Sequence, residues 1–215
     1  MKTYLQLVNA VLARLRENDV STITETTYSQ LIAKFVNDAK RQVEDAWNWD
    51  ALSTTITLNT VAGTTTYTVT GSGMRQRDVA VNNTTSQNRV QNVPIQWILD
   101  QQQLSTVQSG QPVYYAWNGT DGTDSRVEIY PTPDAAYALK FNMIVPQAAL
   151  SSDSTAIVVP DEPVEMLAYA RALVERGEDG GLSSSEAYQL GKSVLADYIS
   201  LEKERFMEFD VFEAV

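Results

Sequence analysis

The chain has 215 residues, 43% of them hydrophobic, 20% charged and 9% aromatic, which supports one large domain or two intimately joined ones. It contains no cysteine and no histidine, excluding disulfides, thiolate nucleophiles, imidazole bases and the metal sites built on those ligands. A formal net charge of −11 argues against sequence-specific DNA binding, because Lys and Arg neutralising phosphates supply most of that affinity.

Charge is unevenly distributed. Residues 1–49 carry six basic and six acidic groups, residues 50–159 five and eight, and residues 160–215 five and thirteen. The opening segment interleaves charge with apolar residues, and no later run approaches a membrane-spanning length, so neither a secretory leader nor a membrane span is expected. Without a secretory context, the Asn-x-Thr triplets at Asn82, Asn83 and Asn118 read as turn chemistry, and no glycan is assigned to them.

Leu5, Val8, Leu12 and Leu15 recur at helical spacing, and Tyr28, Leu31, Ile32, Phe35, Ala39, Val43 and Ala46 form a second, longer stripe. The β-branched and hydroxyl residues between them resist helix and offer N-caps just before Tyr28. From Leu52 to about Val159 the alternation Thr55-Ile56-Thr57-Leu58 and Thr66-Tyr67-Thr68-Val69 predicts strands, with more over Val113–Trp117, Arg126–Tyr130 and Ala138–Val145. Glycines at 63, 71, 73, 119 and 122 punctuate these runs as in an antiparallel sandwich or barrel. Pro94 followed by Ile95, Ile98 and Leu99 predicts a short helix inside this zone. Asp161 then suits a cap, and a helix follows through Leu167, Ala170 and Val174 to Gly177. Ser183 with Glu186 reads as a capping box, ahead of a stripe of Leu190, Val194, Tyr198 and Leu201.

The ordered set resembles a known family. A helix pair precedes the aromatic hinge Ala46-Trp47-Asn48-Trp49; Gly110-Gln111-Pro112-Val113-Tyr114-Tyr115 and Val127-Glu128-Ile129-Tyr130-Pro131-Thr132-Pro133-Asp134 follow; then come Ile157-Val158-Val159-Pro160-Asp161 and a second helix pair. Together these resemble the head-to-tail adaptor (connector) proteins of tailed bacteriophages, the class that includes the tail tubular A proteins of short-tailed phages. The resemblance implies a non-enzymatic structural subunit in a closed ring of about twelve copies, without cofactor or catalytic residues. Its implied partners are other copies of the chain, the portal protein, and a tail nozzle or tail tube protein. The resemblance further implies that double-stranded DNA passes through without sequence-specific binding, that no membrane is involved, and that the protein is assembled in the host cytoplasm and resides at the head–tail junction of the virion.

The expected fold is α+β: a discontinuous four-helix bundle from residues 1–50 and 160–205, an inserted antiparallel β-sandwich or barrel over 51–159, and a docking tail at 206–215. Several groups admit two readings. Trp47 and Trp49 are a hydrophobic plug or a partner site. Tyr114, Tyr115, Trp117 and Tyr130 are strand packing or the face of a receptor- or glycan-binding β module, the principal alternative function. Asp121, Asp124 and Glu128 faintly suggest a calcium loop or a hydrolase carboxylate pair, although their spacing matches no EF-hand. The tail places Phe206, Met207, Phe209, Val211, Phe212 and Val215 beside Glu208, Asp210 and Glu213, as a final packed element or as a portal-docking peptide suited to a basic-rimmed apolar groove or to an added strand on a neighbour's edge. The acid excess after residue 160 predicts a negative channel face that includes Glu175, Glu178 and Asp179.

Overall fold

The computed structural model describes residues 1–103, 107–177 and 182–204. The chain is α+β, with five helices and seven strands among these residues, and it divides into two compact units. One comprises Met1–Ala51 with the described part of Gln147–Val215, the other Leu52–Pro146.

The first unit is helical. Helix α1 (Tyr4–Arg14) opens on a capping box between Thr3 and Gln6, and α2 (Thr27–Ala46) on one between Thr26 and Ser29, so donors lacking partners at both starts are satisfied locally. Leu7, Val8, Val11 and Leu12 of α1 are buried, as are Ile32, Val36, Ala39 and Val43 of α2. The expected stripe of α2 is thus rotated slightly: Tyr28, Leu31 and Phe35 are only half-buried. Helix α4 (Asp161–Arg176) ends at Gly177, whose φ of 66° is the left-handed cap that glycine adopts without strain. Asp161 does not cap it; Pro160 holds that position, and the Asp161 carboxylate accepts from the Lys2 backbone N–H at 3.1 Å.

Helix α5 (Leu182–Lys203) packs chiefly on α4, and Ser183 lies inside it rather than at its cap. Its buried side is Ser184, Gly191, Leu195 and Glu202, while Leu190 and Leu201 of the expected apolar stripe are 51% and 59% exposed. Gly191 explains the orientation, because a Cβ there would stand 3.0 Å from a methyl of Leu167. The small residue lets the two helices approach, and the larger aliphatics turn outward.

The second unit is a single mixed sheet in the order β1-β7-β3-β4-β5-β6-β2, from β1 (Ser53–Asn59), β2 (Thr66–Thr68), β3 (Arg77–Asn83), β4 (Asn88–Asn92), β5 (Tyr114–Thr120), β6 (Ser125–Tyr130) and β7 (Ala138–Ile144). This corrects the expected antiparallel sandwich or barrel. Helix α3 (Ile95–Gln102), predicted from Pro94, lies in the connection from β4 to β5, and those two strands pair in parallel while the other pairs are antiparallel. The register aligns Ile56, Phe141, Val81 and Val90 across four strands on one face. The sheet curls, so that Trp117 of β5 packs against Phe141 of β7 at a centroid separation of 5.9 Å although β3 and β4 intervene. Strand alternation sends Tyr114, Ala116 and Tyr130 to the opposite face, where Ile98 of α3 covers them.

Gly191→Leu should force α5 away from α4. Overpacking of this kind costs about 1–3 kcal/mol, to be read as a lower midpoint in urea unfolding. Gly191→Ala, which regains helix propensity of about 1 kcal/mol against a modest shift of Leu167, should stay near neutral.

Candidate docking surfaces

The helical unit is closed by charges remote in sequence. Glu165, buried on α4, accepts from Arg14 Nε at 2.7 Å and pairs with the Lys2 ammonium. Burial alone would raise its pKa, but hydrogen bonds from Lys2 and Arg14 outweigh that and hold the carboxyl below its ordinary range. At the other end of α4, Arg176 donates to the Tyr28 hydroxyl at 2.9 Å and the Leu15 carbonyl at 3.2 Å, and pairs with Glu17. On α2 the buried pair Lys40–Glu44, at 2.7 Å, grips the backbone of Gln147: Lys40 Nζ donates to its carbonyl at 2.6 Å and its N–H donates to Glu44 Oε1 at 3.1 Å.

The aromatic residues in question are occupied by packing. Trp49 is buried and donates its indole N–H to the Val43 carbonyl at 2.7 Å, as a plug would; Trp47 is half-buried beside it in sequence. Tyr115 and Trp117 meet edge to face on the curled face of the sheet. The Tyr115 hydroxyl donates to Asp78; burial and that bond push its pKa well above the ordinary tyrosine value, and the Tyr115 and Asn92 donors hold Asp78 low against its own burial. Tyr114 and Tyr130 pack edge to face with Trp97 under α3. They do not form a free stacking platform.

The loop acids do not converge either. Asp121 accepts from the backbones of Thr123 and Asp124, which lowers its pKa. Asp124 accepts from the Gly73 N–H at 2.9 Å, and buried Glu128 from Thr66 at 2.6 Å and Asn118 at 3.2 Å. Among the described residues no cluster of three or more acids forms.

Among the described residues, two apolar features of the helical unit face solvent. A groove of about 600 Å³ runs between α2, α4 and the first turns of α5, lined by Phe35, Ala170, Val174 and Tyr188, with Arg171 and Glu175 at its edge. Val174 is 66% exposed. On α5 itself, Leu190, half-buried Val194 and Leu201 share one helical stripe. Of the predicted channel acids, Glu175 is exposed on the last turn of α4, whereas Glu178 and Asp179 lie outside the described residues. So does the whole predicted portal-docking tail, Phe206, Met207, Phe209, Val211, Phe212 and Val215. The sequence reading missed the Glu165 cluster and the Gln147 clamp; the i,i+4 spacing of Lys40 and Glu44 was the one local sign of either.

A helical unit with outward apolar surfaces, joined to a sheet unit whose aromatics are packed, describes a protein that works by contact. Residues 2–207 match the family model of the SU10 adaptor protein, and the chain belongs to that family. It is thereby a bacteriophage head–tail adaptor, a structural virion component that engages other virion proteins, and its family implies a non-enzymatic role. Comparison with curated proteins gives no significant match. No helix among the described residues is long and apolar enough to cross a membrane.

Because Glu165 is held below the ordinary carboxylate range, its stabilising contribution is complete above a pH of about 4.3 and is lost as pH falls through its lower folded-state value. Glu165→Gln should lower stability at pH 7 by about 2 kcal/mol and remove this share of the acid dependence, as measured by thermal unfolding from pH 7 to 3.

Proposed function

We propose that the chain is one subunit of a closed ring of about twelve copies that joins the portal to a tail nozzle or tail tube and surrounds the exiting DNA. The observation that carries this reading is the adaptor-family match over nearly the whole chain. The unit built from both chain ends, Met1–Ala51 and Gln147 onward, forms the ring wall, and Leu52–Pro146 is the domain inserted in it. Net charge supports the passage role: thirteen acids against five bases after residue 160, Glu175, Glu178 and Asp179 among them, repel phosphates, so that DNA slides without sequence-specific binding. The protein assembles in the host cytoplasm and resides at the head–tail junction.

Residues 206–215 are the proposed portal anchor. Burying two or three of Phe206, Phe209 and Phe212 contributes roughly 1.5–3 kcal/mol each, a gain multiplied when many copies engage one portal. Deleting 206–215 should leave thermal unfolding of the chain nearly unchanged and abolish attachment to tail-less, portal-bearing heads. A deletion that melts the chain yet permits attachment assigns docking elsewhere, and a chain that stays monomeric alone and on heads contradicts the ring.

A further inference from the structure

We propose that the ring contact is heterologous, with the α5 ridge Leu190–Val194–Leu201 of one copy seated in the α2–α4–α5 groove of the next. The inference rests on the ring reading and assigns its interface. Advancing 100° per residue, α5 places Leu190, Val194 and Leu201 on one side and the groove-side residues Ser185, Tyr188 and Lys192 on nearly the opposite side. Lys192 confirms its own placement, since its ammonium lies 5.1 Å from the centre of the Tyr188 ring. One helix therefore presents a ridge to one flank and helps wall a groove on the other. A subunit with two different, matching flanks builds a head-to-tail contact, the kind that closes into rings.

Charge selects the pairing. Glu186, Asp197 and Glu204 follow one edge of the ridge. Arg171 lines the groove and the Lys192 ammonium lies over the ring of groove-lining Tyr188. Arg171 forms no ion pair among the described residues: its Nη2 donates to Gln42 at 3.0 Å, while its buried Nε has no partner. Among the described residues, Glu175 is the one acid lining the groove. Seating the ridge brings its acids toward these cations and covers Val174, Leu190 and Leu201 together. Two ridges facing each other would instead oppose acid to acid, which disfavours a symmetric dimer of α5 helices.

The chain has no cysteine, so engineered thiols report alone. The full chain carrying Leu190→Cys and Val174→Cys is treated with a short bismaleimide, free in solution and bound to tail-less heads, with sedimentation reporting its size in parallel. The expected result is a ladder of linked species, in the sample that sediments as an oligomer, that neither single variant gives. Efficient linked dimers from either single variant mean a face-to-face contact and overturn the proposal. An oligomer without the ladder leaves the ring standing and overturns this interface; the absence of any oligomer in both samples overturns the ring and the interface with it. Leu190→Glu with Leu201→Glu and, separately, Val174→Glu should each lose the oligomer, and their mixture should recover one-to-one dimers through the single intact ridge and groove. Recovery of no dimer from the mixture counts against the pairing.

Discussion

Glu165 is where the two ends of the chain are tied together. Its carboxylate is buried on α4, and its cations, Lys2 and Arg14, come from the first fourteen residues, more than 150 positions earlier. Isolating a buried carboxylate is costly, and removing one side of such a cluster leaves the other uncompensated. The arrangement therefore penalises any state in which α4 has left α1, although the whole sheet unit separates them in sequence. Arg176 repeats the device at the far end of the helix, reaching Tyr28 and the Leu15 carbonyl. Long-range closure of this kind allows a unit to be built from both chain ends while a second unit lies between them.

The exit from the sheet unit is controlled by the same physics with a backbone as ligand. Gln147 is the first residue after β7 to belong to the helical unit, and Lys40 and Glu44 satisfy its carbonyl and its N–H from one helical turn. Its side chain continues the tie, donating to the Ala156 carbonyl at 2.9 Å and accepting from the Val158 N–H at 3.3 Å. Asn37 does the same for Leu150, whose N–H and carbonyl it bonds at 2.8 and 3.0 Å. The segment from 147 to 159 has no regular structure over most of its length, yet polar side chains of α2 pair its backbone groups where strands or helices otherwise would.

How far the fold could be read from the sequence depended on whether a signal was local. Thr26 at the start of α2, Gly177 at the end of α4, Pro94 before α3 and the alternation around Tyr67 and Val127 are short-range chemistry, and each marks an element that is present. The hairpin of β3 and β4 went unread because Arg77, Asp78, Asn82, Asn83, Asn88 and Asn92 dilute the alternation of Val79, Val81 and Val90. The parallel β4–β5 pair depends on where the chain returns after α3, which no short window contains. For α5, periodicity located the apolar stripe correctly, but the assumption that the stripe faces inward failed. Close helix approach required glycine at position 191, and that fixed which side of α5 meets α4.

The orientation of α5 links packing to the proposed assembly. A helix that buries Ser184, Gly191 and Glu202 while exposing Leu190 and Leu201 gives up hydrophobic stabilisation within the subunit. A protein folding only for itself gains by the opposite rotation. The exposed aliphatics become favourable when a neighbouring groove covers them, and Val174, Phe35 and Tyr188 form one on the far flank of the same helix. In the proposed assembly, excess negative charge would act in two directions: it would keep free subunits apart at long range, and at the ridge it would discourage self-pairing while favouring the groove that Arg171 lines. The proposed contact would confine to one polarity an apolar exposure that otherwise invites open-ended association, and a closed ring of such contacts would leave no ridge uncovered.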